Sequence, residues 1–173
     1  AFHETRVLSE LNDKAEDAFK DIEKDMADTL SASLSGVSIV GVDREIENKR
    51  EINRQGNADD RLIIPILETG GPLQVSRSIQ YQVFREEGRS LLARTVGSLG
   101  DANPSSQRSN IIPNCDVIRF DVTYATGNTD EPWVNSWTSS ELPRAVRVSM
   151  TLSEEDNITR QISRKAIYEV HVR

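Results

Sequence analysis

The side chains that most often carry out chemistry are sparse in this sequence. The chain has two histidines, His3 and His171, at its opposite ends, and a single cysteine, Cys115. A Ser–His–acid triad needs a histidine held beside both partners, and no G-x-S-x-G elbow is present. A single cysteine with no histidine near it in sequence is more typical of a buried thiol than of a nucleophile. We therefore predict no catalytic residues and no enzymatic activity.

Metal and cofactor sites are equally hard to assemble from these residues. Zinc sites need several Cys and His side chains at short spacings, which one cysteine and two distant histidines cannot supply. The acidic turns Asp59-Asp60 and Glu154–Asn157 do not match the spacing of an EF-hand loop. No G-x-x-x-x-G-K-[ST] or G-x-G-x-x-G loop is present to hold a phosphate. The sequence predicts no metal and no cofactor, and leaves only a weak calcium site open.

Length and charge indicate one domain that does not bind nucleic acid. A chain of 173 residues has the usual size of one domain and can fold without disulfides. The net charge of −7 argues against nucleic acid, because phosphate contacts need clustered Lys and Arg. Residues 1–30 carry nine acids and four bases, whereas residues 158–173 carry four bases and one acid. This asymmetry allows attraction between the two ends, within the fold or between subunits.

The element expected to organise these side chains is a long amphipathic helix. Apolar residues recur at spacings of three and four, which is the period of one helix face. They are Leu8, Leu11, Ala15, Ala18, Ile22, Met26 and Leu30. The pattern predicts a helix over about residues 4–34, and we assign residues 1–34 to this element. No apolar run long enough to cross a membrane is present. The chain opens directly in the helical pattern, and what precedes it is an open question at this level.

The predicted helix is longer than the sheet that should cover it. A helix of about 30 residues spans about 45 Å, whereas a strand of five or six residues spans about 20 Å. Part of the apolar stripe should therefore project beyond the sheet and meet a partner. The residues predicted to bind that partner are Leu8, Leu11, Ala15, Ala18, Ile22 and Met26.

After Gly36 the sequence takes the two-residue period of β-strands. Apolar residues alternate or cluster in segments 62–66, 79–83, 118–124 and 146–152. Glu87-Gly88 predicts a hairpin turn, Pro65 should confine its strand to an edge or a bulge, and the polar segments 43–60 and 97–110 predict loops. With no helical crossover between strands, the pattern predicts an α+β fold: an N-terminal amphipathic helix packed on mostly antiparallel β-sheets. Residues 35–173 would form the β-rich part of one domain.

The second half of the chain resembles the minor pseudopilin J family of type II secretion (GspJ/PulJ-like), a branch of the pilin superfamily. Weaker parts of the resemblance are Asp60-Arg61-Leu62-Ile63-Ile64 and the hairpin 79–94. The most specific part runs from Val117-Ile118-Arg119-Phe120 through Trp133 and Trp137 to Leu142-Pro143-Arg144-Ala145-Val146-Arg147-Val148. The order of the helix and the strands resembles the family over essentially the whole chain.

The resemblance implies a structural role in the bacterial cell envelope. Such a subunit is anchored in the inner membrane by an upstream helix, and this part would lie in the periplasm. It would assemble at the pseudopilus tip with minor pseudopilins of the I and K types, contact the major subunit, and support protein export across the outer membrane. Its helix stripe would pack along partner helices.

Two other functions stay open at this level. One is a minor pilin of a type IV pilus, which would share the layout of the chain. The other is a soluble β-rich ligand-binding module in which Trp133 and Trp137 form a stacking platform.

Overall fold

The elements follow the change of period seen in the sequence, with one helix before a series of strands. The structure is a computed structural model that describes residues 2–30, 36–44, 60–68, 72–155 and 157–171. Helix α1 (Phe2–Ala27) is followed by β1 (Val40–Val42), β2 (Arg61–Glu68), β3 (Val75–Glu86), β4 (Arg89–Ser98), β5 (Gln107–Asn110), β6 (Cys115–Ala125), β7 (Trp133–Val134), β8 (Ala145–Glu154) and β9 (Asn157–Glu169). Residues 45–59, most of the predicted loop 43–60, lie outside the described residues, as do residues 31–35.

The helix ends at Ala27 rather than near residue 34, which corrects the predicted boundary. The Asp28 amide bonds to the Asp25 carbonyl at 3.1 Å, and the Thr29 hydroxyl donates to the Met26 carbonyl at 2.7 Å. These local bonds satisfy the last helical carbonyls in place of a further turn. Leu30, assigned to the stripe from its spacing, instead donates its amide to the Pro65 carbonyl at 2.9 Å. Tertiary pairing with β2 therefore overrides the helical period here.

The strands form two antiparallel sheets, as the absence of helical crossovers predicts. The first has the order β1-β2-β3-β4-β5 and the second the order β7-β6-β8-β9. β3 and β4 are joined by the predicted hairpin turn, in which Glu87 has φ of 51° and Gly88 has φ of 76°. Positive φ at both central residues is the signature of a type I′ turn, whose twist matches that of the paired strands. This part of the sequence prediction is confirmed.

Pro65 lies in an internal strand, but on a stretch that β1 does not reach. β1 pairs only with Arg61–Ile63, and Pro65 lies opposite Ser78 of β3. N–H and C=O of one strand residue point to the same side, and the Pro65 carbonyl points to the Leu30 amide. The missing N–H therefore removes no bond between β2 and β3, and the expected edge position holds locally rather than for the whole strand.

The predicted loop 97–110 contains one strand that the sequence pattern does not reveal. β5 pairs with Ala93–Val96 of β4, and its four side chains are exposed. An edge strand with both faces in water shows no apolar alternation. Its side-chain contacts are polar or cationic instead: Arg108 pairs with Glu86 at 2.8 Å and lies 3.9 Å from the Phe84 ring centroid. The prediction of a loop is wrong for residues 107–110.

The two sheets meet along the edge of β6. Gly41 and Trp137 exchange two backbone hydrogen bonds of 2.8 and 2.9 Å, and the Asp60 amide donates to the Phe120 carbonyl at 3.0 Å. A Cβ atom on Gly41 would overlap the Tyr124 ring. Glycine is therefore the residue that lets β1 approach β6 closely.

Helix α1 covers one face of both sheets, and the core lies beneath it. The helix contacts β9, β8 and β2. A helix of 26 residues spans about 39 Å at ~1.5 Å per residue, and the 13 residues of β9 span about 43 Å at ~3.3 Å per residue. The sheet is therefore as long as the helix, and the expected projection of the stripe does not arise from a difference in length.

Candidate functional site

The six residues predicted to bind a partner lie inside or against the core of the domain. Leu8 is half-buried against the core, and the other five side chains are at most 2% exposed. The buried five are Leu11, Ala15, Ala18, Ile22 and Met26. The prediction that these five side chains form a partner surface is therefore corrected: they lie in the core, where α1 contacts β2, β8 and β9. The sequence pattern identified the apolar face of the helix but did not show that the sheets of the same domain pack against it.

Trp133 lies in β7 of the second sheet, whereas Trp137 pairs with Gly41 of β1. The Trp137 indole N–H donates to the Glu141 carbonyl at 2.8 Å, and its ring lies 6.3 Å from the Tyr124 ring. The Arg147 guanidinium lies over the Trp133 ring, 4.5 Å from its centroid. One ring therefore packs toward the core and the other already carries a cation. This arrangement favours a structural role over an open stacking platform.

The structure places Cys115 in the core and the two histidines, His3 and His171, at exposed positions. Cys115 is buried, and burial raises the pKa of its thiol to about 11, which keeps it protonated at neutral pH. His171 is exposed beside Glu169 at 3.4 Å, and His3 lies exposed in the first turn of α1. Within the described ranges, no group of three or more His, Cys, Asp or Glu side chains is arranged to hold a metal ion.

Three aspartates link separate elements of the fold. Asp25, the first of them, forms an ion pair with Arg94. Its carboxylate accepts two bonds from the Arg94 guanidinium, at 2.8 and 2.9 Å, and a third from the Tyr81 hydroxyl. The side chain of Asp25 is 5% exposed and that of Arg94 is 29% exposed. The hydrogen bonds to Asp25 raise the pKa of Arg94, and burial raises the pKa of Tyr81. The cluster fastens the last turns of α1 to β3 and β4.

Asp116, near the start of β6, links the second sheet to the start of β4 in the first sheet. Its carboxylate accepts from the Arg89 guanidinium at 2.8 Å and from the Ser90 amide at 3.0 Å. Arg89 also reaches Glu155 at 3.1 Å, in the turn between β8 and β9. The hairpin of the first sheet is thereby held against the second.

Asp60, the residue before β2, links Arg44, which follows β1, to Val122 of β6. Its two carboxyl oxygens accept the Arg44 amide at 3.0 Å and the Val122 amide at 2.7 Å. The residue is 1% exposed. Burial raises its pKa to about 8, more than the two backbone donors lower it, and the neighbouring Asp121 carboxyl raises it further. The Tyr124 hydroxyl, whose pKa burial also raises, is buried nearby without a hydrogen-bond partner in the described part of the chain.

The raised pKa of Asp60 predicts that stability falls as pH rises. The folded chain keeps a proton that the unfolded chain releases above its ordinary pKa of 3.8. This contribution is complete below that pKa and is lost as pH rises through about 8, because the unfolded state then binds fewer protons. We expect the urea midpoint to fall from pH 5 to pH 9, and Asp60→Asn to flatten the decline.

Asp130→Asn, at an exposed turn position, is the matched control and should keep the native slope. An Asp60→Asn variant whose midpoint declines as steeply as that of the native chain would show that another group titrates.

With the apolar stripe in the core, the outer face of α1 and the face of the second sheet that α1 does not cover stay exposed. The described side chains there are mostly polar, with Ile167, 57% exposed, as an exception. No helix in the described part of the chain has both the length and the apolar character that crossing a membrane requires.

Comparison with known proteins identifies the fold. No family model and no curated protein matches the sequence. Among solved structures, the chain is similar to a type IV-like pilin from Thermus thermophilus, with a TM-score of 0.59 and 12% identity over 94% of this chain and 96% of that one. The chain has a pilin-like fold. This confirms the predicted α+β class, in which a helix packs on antiparallel sheets.

Proposed function

We propose that this chain is the soluble part of a minor pseudopilin of the J type in a type II secretion system, and that it is not an enzyme. The observation that carries the proposal is the pilin-like fold, which matches nearly the full length of both chains. The resemblance of segment 117–148 to the J family narrows the proposal within the superfamily. In this role the chain would support export of proteins across the outer membrane.

Three aspartates link separate elements of the fold, as suits a subunit that must stay rigid. Asp25, Asp60 and Asp116 each link two or more elements, and each accepts bonds from amide or guanidinium donors. Carboxylates engaged in this way hold elements in place. We assign to them the task of presenting fixed outer surfaces to neighbouring subunits.

In the proposed assembly, an upstream helix anchors the subunit in the inner membrane and the described domain lies in the periplasm. Minor pseudopilins of the I and K types and the major pseudopilin are the proposed partners. Because the helix stripe is buried in the core, we propose that exposed polar side chains of α1 and the second sheet meet them. Polar rims choose partners mainly by complementary charge.

A minor pilin of a type IV pilus is the second candidate. The observation that favours it is that the structural neighbour is itself a type IV-like pilin. The two candidates differ in the subunits that each would bind.

The test is light scattering after size exclusion, on this chain alone and mixed with soluble domains of I- and K-type pseudopilins encoded beside it. We expect a monomer that joins them in one complex. Binding to the minor pilins of a type IV system instead would favour the second candidate.

A further inference from the structure

The turn between β8 and β9 carries a sequence that the proposed function does not use. Asn157-Ile158-Thr159 matches N-x-[ST], the acceptor tripeptide for N-linked glycans, and an acid, Glu155, stands two residues before the asparagine. No other tripeptide of the sequence fits this pattern with a residue other than proline in the middle. Its use depends on how the fold presents the asparagine amide.

The Asn157 carboxamide is held by the residue at the third position of the tripeptide. Its Oδ1 accepts the Thr159 hydroxyl at 2.6 Å and the Thr159 amide at 3.2 Å. A backbone amide can only donate, so the atom that faces it is the oxygen, and Nδ2 lies on the other arm of the carboxamide. Nδ2, the atom to which a sugar would be joined, donates to no group among the described residues.

These two hydrogen bonds favour a reaction at Nδ2. Donation to the carbonyl oxygen draws electron density from the amide, which makes the Nδ2 protons more acidic. In the transfer, Nδ2 forms a bond to the anomeric carbon of a lipid-pyrophosphate-linked oligosaccharide, and the bond from that carbon to the pyrophosphate oxygen breaks with its electron pair. The released proton passes to a base of the transferase, and the lipid pyrophosphate leaves. No group is oxidised or reduced.

The position of Asn157 gives a large sugar room outside the fold. Asn157 is the first residue of β9, which is the edge strand of its sheet. Glu154 lies opposite Asn157 in the ladder. The next pair is Ser153 and Gln161, so residues 158–160 bulge out of the ladder. The acceptor side chain therefore lies in an irregular segment at the end of the hairpin rather than within a paired strand.

Glu155 provides a charge that a transferase can bind beside the acceptor amide. Its side chain is 40% exposed and bonds to Arg89 at 3.1 Å. Arg89 also pairs with Asp116 at 2.8 Å, so it keeps a carboxylate when Glu155 turns to a cationic group of the enzyme. An exposed ion pair contributes about 0–1 kcal/mol, and its loss is therefore a small barrier to recognition.

The chain contains a second segment that shares most of this pattern. Asp101, Asn103 and Ser105 have the same spacing of acid, asparagine and hydroxyl. The residue between the last two is Pro104, which restricts the backbone of the asparagine before it and is excluded from the acceptor pattern. The Asn103 Oδ1 accepts the Arg61 guanidinium at 2.9 Å. Asn103 should therefore stay unmodified and serves as an internal control.

We propose that Asn157 of the folded domain is an acceptor for an N-linked oligosaccharide, with Glu155 and Thr159 as the side chains that the transferase recognises. The inference combines the tripeptide, the unengaged Nδ2 and the bulged segment at the end of the hairpin. In the cell the reaction rests on the proposed periplasmic location, because the acceptor pattern is used in exported proteins. With purified components it depends on this chain alone.

Transfer to the purified, folded chain tests the proposal. The chain is incubated with a bacterial single-subunit oligosaccharyltransferase, its activity first checked on a separate acceptor peptide, and with a lipid-pyrophosphate-linked oligosaccharide. Intact mass and peptide mapping then give the number of glycans and their site. We expect one glycan per chain, at Asn157, and none at Asn103. Absence of a glycan at Asn157 overturns the proposal.

Variants of the recognised side chains separate this reaction from a chance modification. Thr159→Ser keeps the hydroxyl and should keep transfer, whereas Thr159→Ala should lose it. Glu155→Gln should slow transfer by about tenfold or more, the usual effect of losing one hydrogen bond to a charged group. Glu154→Gln, at the adjacent acid, is the matched control and should leave the rate unchanged. Native rates in Thr159→Ala or Glu155→Gln would contradict the assigned recognition. None of these results depends on whether the I- and K-type domains bind.

Discussion

Arg94→Met should lower the free energy of unfolding by about 3–5 kcal/mol, the usual cost of leaving one partner of a buried ion pair without the other. Arg94 supplies two of the three side-chain hydrogen bonds that Asp25 accepts. Methionine keeps most of the methylene packing but leaves the carboxylate, whose side chain is 5% exposed, without its positive charge. Urea unfolding followed by circular dichroism measures the loss.

Arg77→Met is the matched control for this change. Arg77 pairs with Glu68 at 2.8 Å, but the two side chains are 40% and 58% exposed. Exposed pairs of this kind contribute about 0–1 kcal/mol, so the variant should unfold within that range of the native chain. Equal losses for Arg94→Met and Arg77→Met would show that the Asp25 cluster does not fasten α1 to the first sheet.

Ile22→Asp should prevent the isolated domain from folding. Ile22 is 0% exposed in the centre of the helix stripe. The substitution removes a branched side chain from the core and leaves a carboxylate there without a partner, and the combined cost of about 5 kcal/mol or more reaches the whole stability of many domains. Loss of the cooperative urea transition is the expected observation.

Lys20→Asp places the same carboxylate two residues away on the exposed side of the helix. It should change the free energy of unfolding by less than about 0.5 kcal/mol. If Ile22→Asp folded normally and failed only to bind partners, the stripe would be the partner surface that the sequence pattern suggests, and the core assignment would be wrong.

Local sequence signals were enough to predict the class of the fold. The helix stripe, the Glu87-Gly88 turn and the alternation in β6 and β8 each follow from a period or a backbone preference within a few residues. Features that depend on distant pairing were not predictable. The helix end at Ala27 depends on β2, and β5 has no apolar side chain to mark it.

The candidate surface was harder to predict than the fold because the helix stripe could pack either on the sheets of its own domain or on a partner subunit. Strand length decided between these two alternatives, since β6, β8 and β9 have 11, 10 and 13 residues, whereas the sequence argument assumed strands of five or six.

The aspartate links are also absent from the sequence pattern, because Asp25 and Arg94 are 69 positions apart. The polar half of the strand alternation was readable from the sequence, and it places Ser149 and Lys165 on the side away from the core.

Mixing this domain with its proposed partners bears most directly on its assignment to the pseudopilus tip. The native domain is combined with equimolar I- and K-type domains, and light scattering gives the mass of each eluting species. We expect one new peak whose mass equals the sum of the three domains, with no residual monomer of this chain. Separate elution of this domain, with its fold shown intact by circular dichroism, would contradict its assignment to the pseudopilus tip.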